Sequence, residues 1–179
     1  TGEKAARGGG VDVTTGGVIY LWGVAIDSCS VATLEEPLMK ARGGGAYVDH
    51  GAIEMTGGSV SDCWAARGGG LFILPAAEAS VFVQLYRVIL SGSRATKGTD
   101  IYVITSGLPY SPLVAADLLI IPNCSTNIPA IWQEGNGVLV LRGLQINASQ
   151  CTNTTALLSV NVHLLQCSEM YSTLYAGTR

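Results

Sequence analysis

The chain has 179 residues, the size of one domain, and 48% of them are hydrophobic while only 13% are charged, a balance that supports a core and argues against disorder. The net charge of −3 offers no field to a nucleic-acid backbone. The 23 glycines stand well above the usual share of about 7% and argue against a helical fold, because each interior glycine costs a helix roughly 1 kcal/mol against alanine.

The first element in the chain is a phrase, Ala6-Arg7-Gly8-Gly9-Gly10, followed by Val11-Asp12-Val13. Two short β-prone runs come next, Val18-Ile19-Tyr20-Leu21 and Val24-Ala25-Ile26. Leu34 to Lys40 reads as an insertion. The phrase then returns as Ala41-Arg42-Gly43-Gly44-Gly45 before Ala46-Tyr47-Val48, with the runs Ala52-Ile53-Glu54-Met55 and Ser59-Val60 behind it. A third copy, Ala66-Arg67-Gly68-Gly69-Gly70, precedes Leu71-Phe72-Ile73, Val81-Phe82-Val83 and Val88-Ile89-Leu90. A degraded fourth, Thr96-Lys97-Gly98-Thr99-Asp100, precedes Ile101-Tyr102-Val103. The basic residues are spaced 35 (42 − 7), 25 (67 − 42) and 30 (97 − 67) residues apart, so one corner of each unit takes insertions.

Runs of three to five residues bounded by Gly, Pro or Ser are strands rather than buried helices. A single unit of two or three such strands cannot bury its inward side chains, whereas stacked units can, through parallel ladders about 4.8 Å apart. The glycine triplet fits a tight corner at which stacked backbones come close. In the second half the runs Leu118-Leu119-Ile120-Ile121, Val138-Leu139-Val140-Leu141 and Leu157-Leu158-Ser159-Val160 begin about 20 residues apart and read as three plainer coils. The expected fold is all-β, a right-handed parallel β-helix of about six to eight coils. It forms a single domain over 1–179, with RGGG-type coils over 1–105 and plainer, glycosylated coils over 106–179. No capping segment shows at Thr1-Gly2-Glu3-Lys4 or at Ala176-Gly177-Thr178-Arg179, so the chain is expected to be a segment of a longer protein and to meet further coils or subunits of the same assembly.

This pattern of GGG, strand, bend, strand resembles the repeats of pectate-lyase-like parallel β-helix proteins, most closely their non-enzymatic cell-surface members such as polymorphic outer-membrane-protein-like adhesins. The motifs cover about residues 5 to 105; beyond them the resemblance rests on rhythm. It implies an extracellular structural or adhesive scaffold that presents repeated side chains to a glycan or a protein neighbour. The alternative is a polysaccharide lyase or hydrolase whose catalytic residues lie outside these repeats.

Aligning the copies on their glycines places Asp12 opposite Tyr47 and Phe72, and Asp49 opposite Thr14 and Leu74. Matching Cys29 to Cys63 places Asp27 opposite Ser61 and Asp62 opposite Ser28. No carboxylate pair of the kind glycoside hydrolysis needs is formed, and no catalytic residue, cofactor or metal site is expected. His50 and His163 are isolated, and Asp49-His50-Gly51 reads as a bend. Arg7, Arg42, Arg67 and Lys97 are expected to form one basic column. That column either holds an anionic polysaccharide or a neighbouring chain's carboxylates, or each cation fans into solvent or bonds corner carbonyls of the next coil.

Three N-x-[ST] sequons, at Asn123, Asn147 and Asn153, favour a secreted or cell-surface protein with exposed glycan acceptors. Of the five cysteines, Cys29 and Cys63 share a place on neighbouring coils, compatible with a disulfide or with a reduced stacked pair. One disulfide is expected among Cys124, Cys151 and Cys167, with Cys151–Cys167 the leading pairing. No membrane insertion is expected, since the longest apolar run, Leu113 to Pro122, is broken by Asp117 and falls well short of about 20 residues.

Overall fold

The structure is a computed structural model that describes residues 7–31, 41–75, 83–105, 112–123, 125, 128–135, 139–147 and the backbone of 158–159. Within these the chain forms a parallel β-solenoid. The first coil contributes β1 (Val11–Val13), β2 (Val18–Trp22) and β3 (Ala25–Asp27). The second contributes β4 (Ala46–Asp49), β5 (Ala52–Thr56) and β6 (Ser59–Ser61), and the third β7 (Leu71–Leu74), β8 (Val83–Tyr86) and β9 (Ile89–Ser91). The fourth holds β10 (Ile101–Ile104), β11 (Leu113–Ala116) and β12 (Leu119–Ile121). The fifth holds β13 (Ile131–Glu134), β14 (Val140–Arg142) and β15 (Gln145–Ile146), and β16 (Leu158–Ser159) opens a sixth. Each coil gives one strand to each of three parallel sheets, ordered β1-β4-β7-β10-β13-β16, β2-β5-β8-β11-β14 and β3-β6-β9-β12-β15.

Register stacks like on like. Val13, Val48, Ile73 and Val103 form one inward column. Leu21, Met55, Leu85, Ala115 and Leu141 form a second, and Ile26, Val60, Leu90, Ile120 and Ile146 a third. All of these join one hydrophobic core. The corner between the second and third sheets is two residues long. Its first residue is left-handed in every coil, as Gly23, Gly57, Arg87, Asp117 and Gly143. Its second residue is Gly58 in the second coil and apolar in the others, where it points into the core as Val88 and Leu118 do. A left-handed residue followed by an apolar one turns the strand sharply and still delivers a side chain to the interior.

The glycine triplets divide three tasks between them. Gly43, like Gly8, Gly68 and Gly98, adopts a positive φ. A Cβ on Gly44 would stand 2.7 Å from Trp64 N, and one on Gly45 would stand 2.6 Å from Val60 Cγ1 and 2.8 Å from Gly70 O. The first glycine therefore makes the turn, the second lets neighbouring backbones approach, and the third makes room for core side chains.

The second half corrects the expected rhythm. The apolar runs about 20 residues apart do not occupy equivalent places. Leu119–Ile121 lies in the third sheet, Val140–Arg142 in the second and Leu158–Ser159 in the first. Equivalent strands β7, β10 and β13 start at Leu71, Ile101 and Ile131, 30 residues apart (101 − 71 and 131 − 101). The described residues accordingly make five coils and the first strand of a sixth, where six to eight coils were expected.

Candidate functional site

Arg7, Arg42, Arg67 and Lys97 pair in sequence through parallel bridges, so the basic column exists as a register. What it faces was not anticipated. Five residues beyond the last three cations (47 − 42, 72 − 67, 102 − 97) the outer face of the first sheet carries an aromatic residue. Tyr47, Phe72, Tyr102 and Trp132 are in register. Tyr47 and Phe72 stack with centroids 5.4 Å apart, and Phe72 and Tyr102 at 5.1 Å with planes 6° apart. Each cation reaches the ring of the next coil. The Arg7 guanidinium carbon lies 5.3 Å from the Tyr47 centroid, Arg42 5.2 Å from Phe72 and Arg67 5.6 Å from Tyr102, while Lys97 Nζ lies 5.0 Å from Trp132. The column is thus half of an interleaved cation–π ladder, and Tyr47, Phe72 and Tyr102 are buried. Cation–π attraction and close packing bind coil to coil here. The expected column therefore exists as a register, and its cations also cover the rings of the next coil. The signal was legible as an aromatic at constant offset from each cation.

Carboxylates close the ladder. Asp49 accepts a hydrogen bond from the Tyr47 hydroxyl at 3.0 Å and pairs with Arg7 at 3.4 Å, and its other oxygen meets His50 Nδ1. Burial and the neighbouring Asp49 hold the Tyr47 hydroxyl above its ordinary pKa. Tyr102 donates to Glu134. His50 stands at a bend with φ 55°, as expected; His163 lies outside the described residues.

A second face combines exposure with chemistry. On β2 the outward residues Val18, Tyr20 and Trp22 are 57%, 62% and 75% exposed. Register continues Tyr20 into Glu54 and Gln84, and Trp22 into Thr56 and Tyr86. Tyr86 is partly exposed and carries the Arg87 guanidinium 4.8 Å from its centroid. Trp22 and Tyr86 are two coils apart, about 9.6 Å at the usual strand spacing. The face is a hydrogen-bonded sheet with aromatic side chains separated by polar ones. In the sequence it was hidden because Val18-Ile19-Tyr20-Leu21-Trp22 is apolar at every position, which removes the alternation that distinguishes inside from outside.

No two carboxylates meet in register among the described residues: Asp12 faces Tyr47, Asp27 faces Ser61 and Asp49 faces Leu74. Hydrogen bonds from Ser61 and Ser28 hold Asp27 below the usual carboxylate range. Among the described residues no three His, Cys, Asp or Glu side chains gather into a metal site, and no helix is long and apolar enough to cross a membrane.

Asn147 is exposed. Asn123 is half-buried; its Nδ2 donates to Gly92 O at 3.3 Å, and its Oδ1 accepts from Ser125 N and Oγ. The exposure expected of the sequon asparagines therefore holds for Asn147 and only in part for Asn123, whose amide helps to fix the corner. Asn153, Cys124, Cys151 and Cys167 lie outside the described residues. Cys29 and Cys63 are free thiols, so the reduced stacked pair is the arrangement observed, without the candidate disulfide. No protein-family model, curated protein or solved structure matches the chain.

Proposed function

We propose that the chain is a rigid section of an extracellular, adhesive β-solenoid that presents the outer face of its second sheet to a glycan. The exposure of Tyr20 and Trp22 on a sheet strand carries this reading. Large exposed apolar side chains grouped on one face mark interaction sites. Aromatic rings match the C–H faces of sugars, and Glu54, Thr56 and Gln84 between them supply hydrogen-bond partners for hydroxyls. The platform is held by ladder bonds before any ligand arrives, so little ordering is lost on binding. Two coils span roughly the length of a disaccharide, which suits an extended neutral polysaccharide laid across the coils. The basic column serves this reading as reinforcement of the rod rather than as the ligand site. The three sequons support a secretory route.

Affinity electrophoresis through gels containing neutral polysaccharides tests the site. The wild-type chain is expected to be retarded in at least one such gel. Trp22→Ala and Tyr20→Ala should each weaken that retardation about tenfold, while Arg94→Gln, away from this face, should leave it unchanged. Retardation that survives Trp22→Ala, or none in any neutral polysaccharide, would overturn the assignment. For the secretory route, native protein treated with a glycosidase should lose mass at Asn147; an unchanged mass would remove that support.

A further inference from the structure

Cys29 and Cys63 follow β3 and β6 at the same point of adjacent coils. The ladder runs straight through them: Trp64 N donates to Cys29 O at 2.8 Å, and Arg94 N donates to Cys63 O at 2.8 Å. Their Cα atoms are therefore one parallel-strand spacing apart, about 4.8 Å, inside the disulfide window of about 4.4–6.8 Å. The Cys63 thiol donates to Ser61 O at 3.1 Å and also reaches Ile26 O of the first coil at 3.9 Å. It therefore leans toward the coil that carries Cys29. Cys29 is partly exposed and Cys63 is buried.

Both sulfurs fill the hollow left by the third glycine of their own coil. A Cβ on Gly10 would stand 3.0 Å from Cys29 Sγ, and one on Gly45 would stand 3.2 Å from Cys63 Sγ. In the third coil the same ladder position is Ser93, fully buried beside Cys63 N. A hydroxyl thus satisfies this corner as a thiol does. Packing alone does not require sulfur at the first two coils.

We infer that Cys29 and Cys63 are a closable pair, which a small-molecule disulfide such as oxidised glutathione converts into a covalent staple between the first and second coils. The accessible Cys29 thiolate attacks one sulfur of the oxidant; the oxidant's S–S bond breaks and one glutathione thiolate leaves. The Cys63 thiol gives its proton to water, and its sulfur attacks the Cys29 sulfur. The second glutathione thiolate then leaves. Two protein thiols are oxidised to one disulfide, and one glutathione disulfide is reduced to two thiols. Burial pushes the Cys63 thiol up to about 11, so the second step is the slow one and quickens with rising pH. The staple fixes the coil that bears Tyr20 and Trp22, whose three strands are each paired on one side only among the described residues.

The test is to incubate the folded, reduced full chain with oxidised glutathione, alkylate the remaining thiols and map the peptides without reduction. The expected product is a cross-linked peptide joining Cys29 and Cys63 with the loss of two hydrogens, and a thermal midpoint raised by about 5 °C or more, since the loop closed is 34 residues (63 − 29). Peptide mapping reads Cys124, Cys151 and Cys167 separately. Cys63→Ser, which copies the third coil, should stop at glutathione on Cys29. Cys29→Ser should leave Cys63 unmodified. If the wild-type chain also stops at glutathionylated Cys29, or if both thiols alkylate after oxidation, the pair does not close and the inference is wrong. Cross-linking with no rise in midpoint in the wild-type chain would overturn the staple as a stabilising device.

Discussion

The Arg42 guanidinium lies over the Phe72 ring of the next coil, 5.2 Å from its centroid, while Phe72 itself is completely buried. One residue type thus shields the aromatic surface that another exposes, and it does so across a coil boundary. The interaction is worth about 1–2 kcal/mol where partly desolvated, and it repeats along the rod.

Removing one cation should therefore weaken a boundary between coils. Arg67→Ala is expected to lower unfolding stability by about 1–2 kcal/mol through lost cation–π contact and lost cover for Tyr102. Phe72→Ala, which empties a buried site between two stacked rings, is expected to cost about 3–5 kcal/mol. Urea denaturation gives both values. In a double-mutant cycle Arg42→Ala and Phe72→Leu should be non-additive by at least about 0.5 kcal/mol. An additive cycle would show that the pair is merely adjacent.

The coil architecture was legible because its main signals are local. Three copies of Arg-Gly-Gly-Gly fixed the register of Arg7, Arg42 and Arg67 and with it the opposition of Asp12 to Tyr47, while matching Cys29 to Cys63 gave the opposition of Asp27 to Ser61. The placing of strands was less legible in the second half, where no glycine triplet marks the corner. There the apolar strands Leu119–Ile121 and Val140–Arg142 look alike although they lie in different sheets, because inward-facing strands of any sheet are built from the same residues. The aromatic face of β2 was hidden for a related reason: a strand apolar on both faces does not declare which side is wet.

The glycines give a contrast that separates sterics from backbone conformation. Gly44→Ala would place a Cβ 2.7 Å from Trp64 N in the next stretch of backbone, a contact the ladder cannot relieve without moving a coil. A loss of about 3 kcal/mol or more, or failure to fold, is expected. Gly16 has φ 76° and nothing within 4 Å of an added Cβ. Gly16→Ala should therefore cost only the left-handed strain, about 1–2 kcal/mol. Parallel thermal melts give the comparison, and equal losses would contradict the division of tasks within the triplet.

Asp100 supplies the last prediction. It takes the place of the triplet's third glycine in the fourth coil, since Leu71 N donates to Asp100 O as Ala46 N donates to Gly70 O. Its side chain is buried; Thr99 Oγ1 donates to one carboxyl oxygen at 3.1 Å, and the other oxygen has no hydrogen-bond partner. Burial raises its pKa from 3.8 to about 7, so between those values the folded chain holds a proton that the unfolded chain releases. The folded state is then favoured at low pH. This contribution falls as pH rises from about 4 to about 7 and levels off above that, a change on the order of 2–4 kcal/mol. Asp100→Asn keeps the shape without the charge. Urea melts from pH 4.5 to 8 should show wild-type stability falling across the range relative to Asp100→Asn, with the variant the more stable at pH 8. Parallel profiles for the two proteins would mean that Asp100 is ionised in the folded chain and that its second oxygen finds a partner in solution.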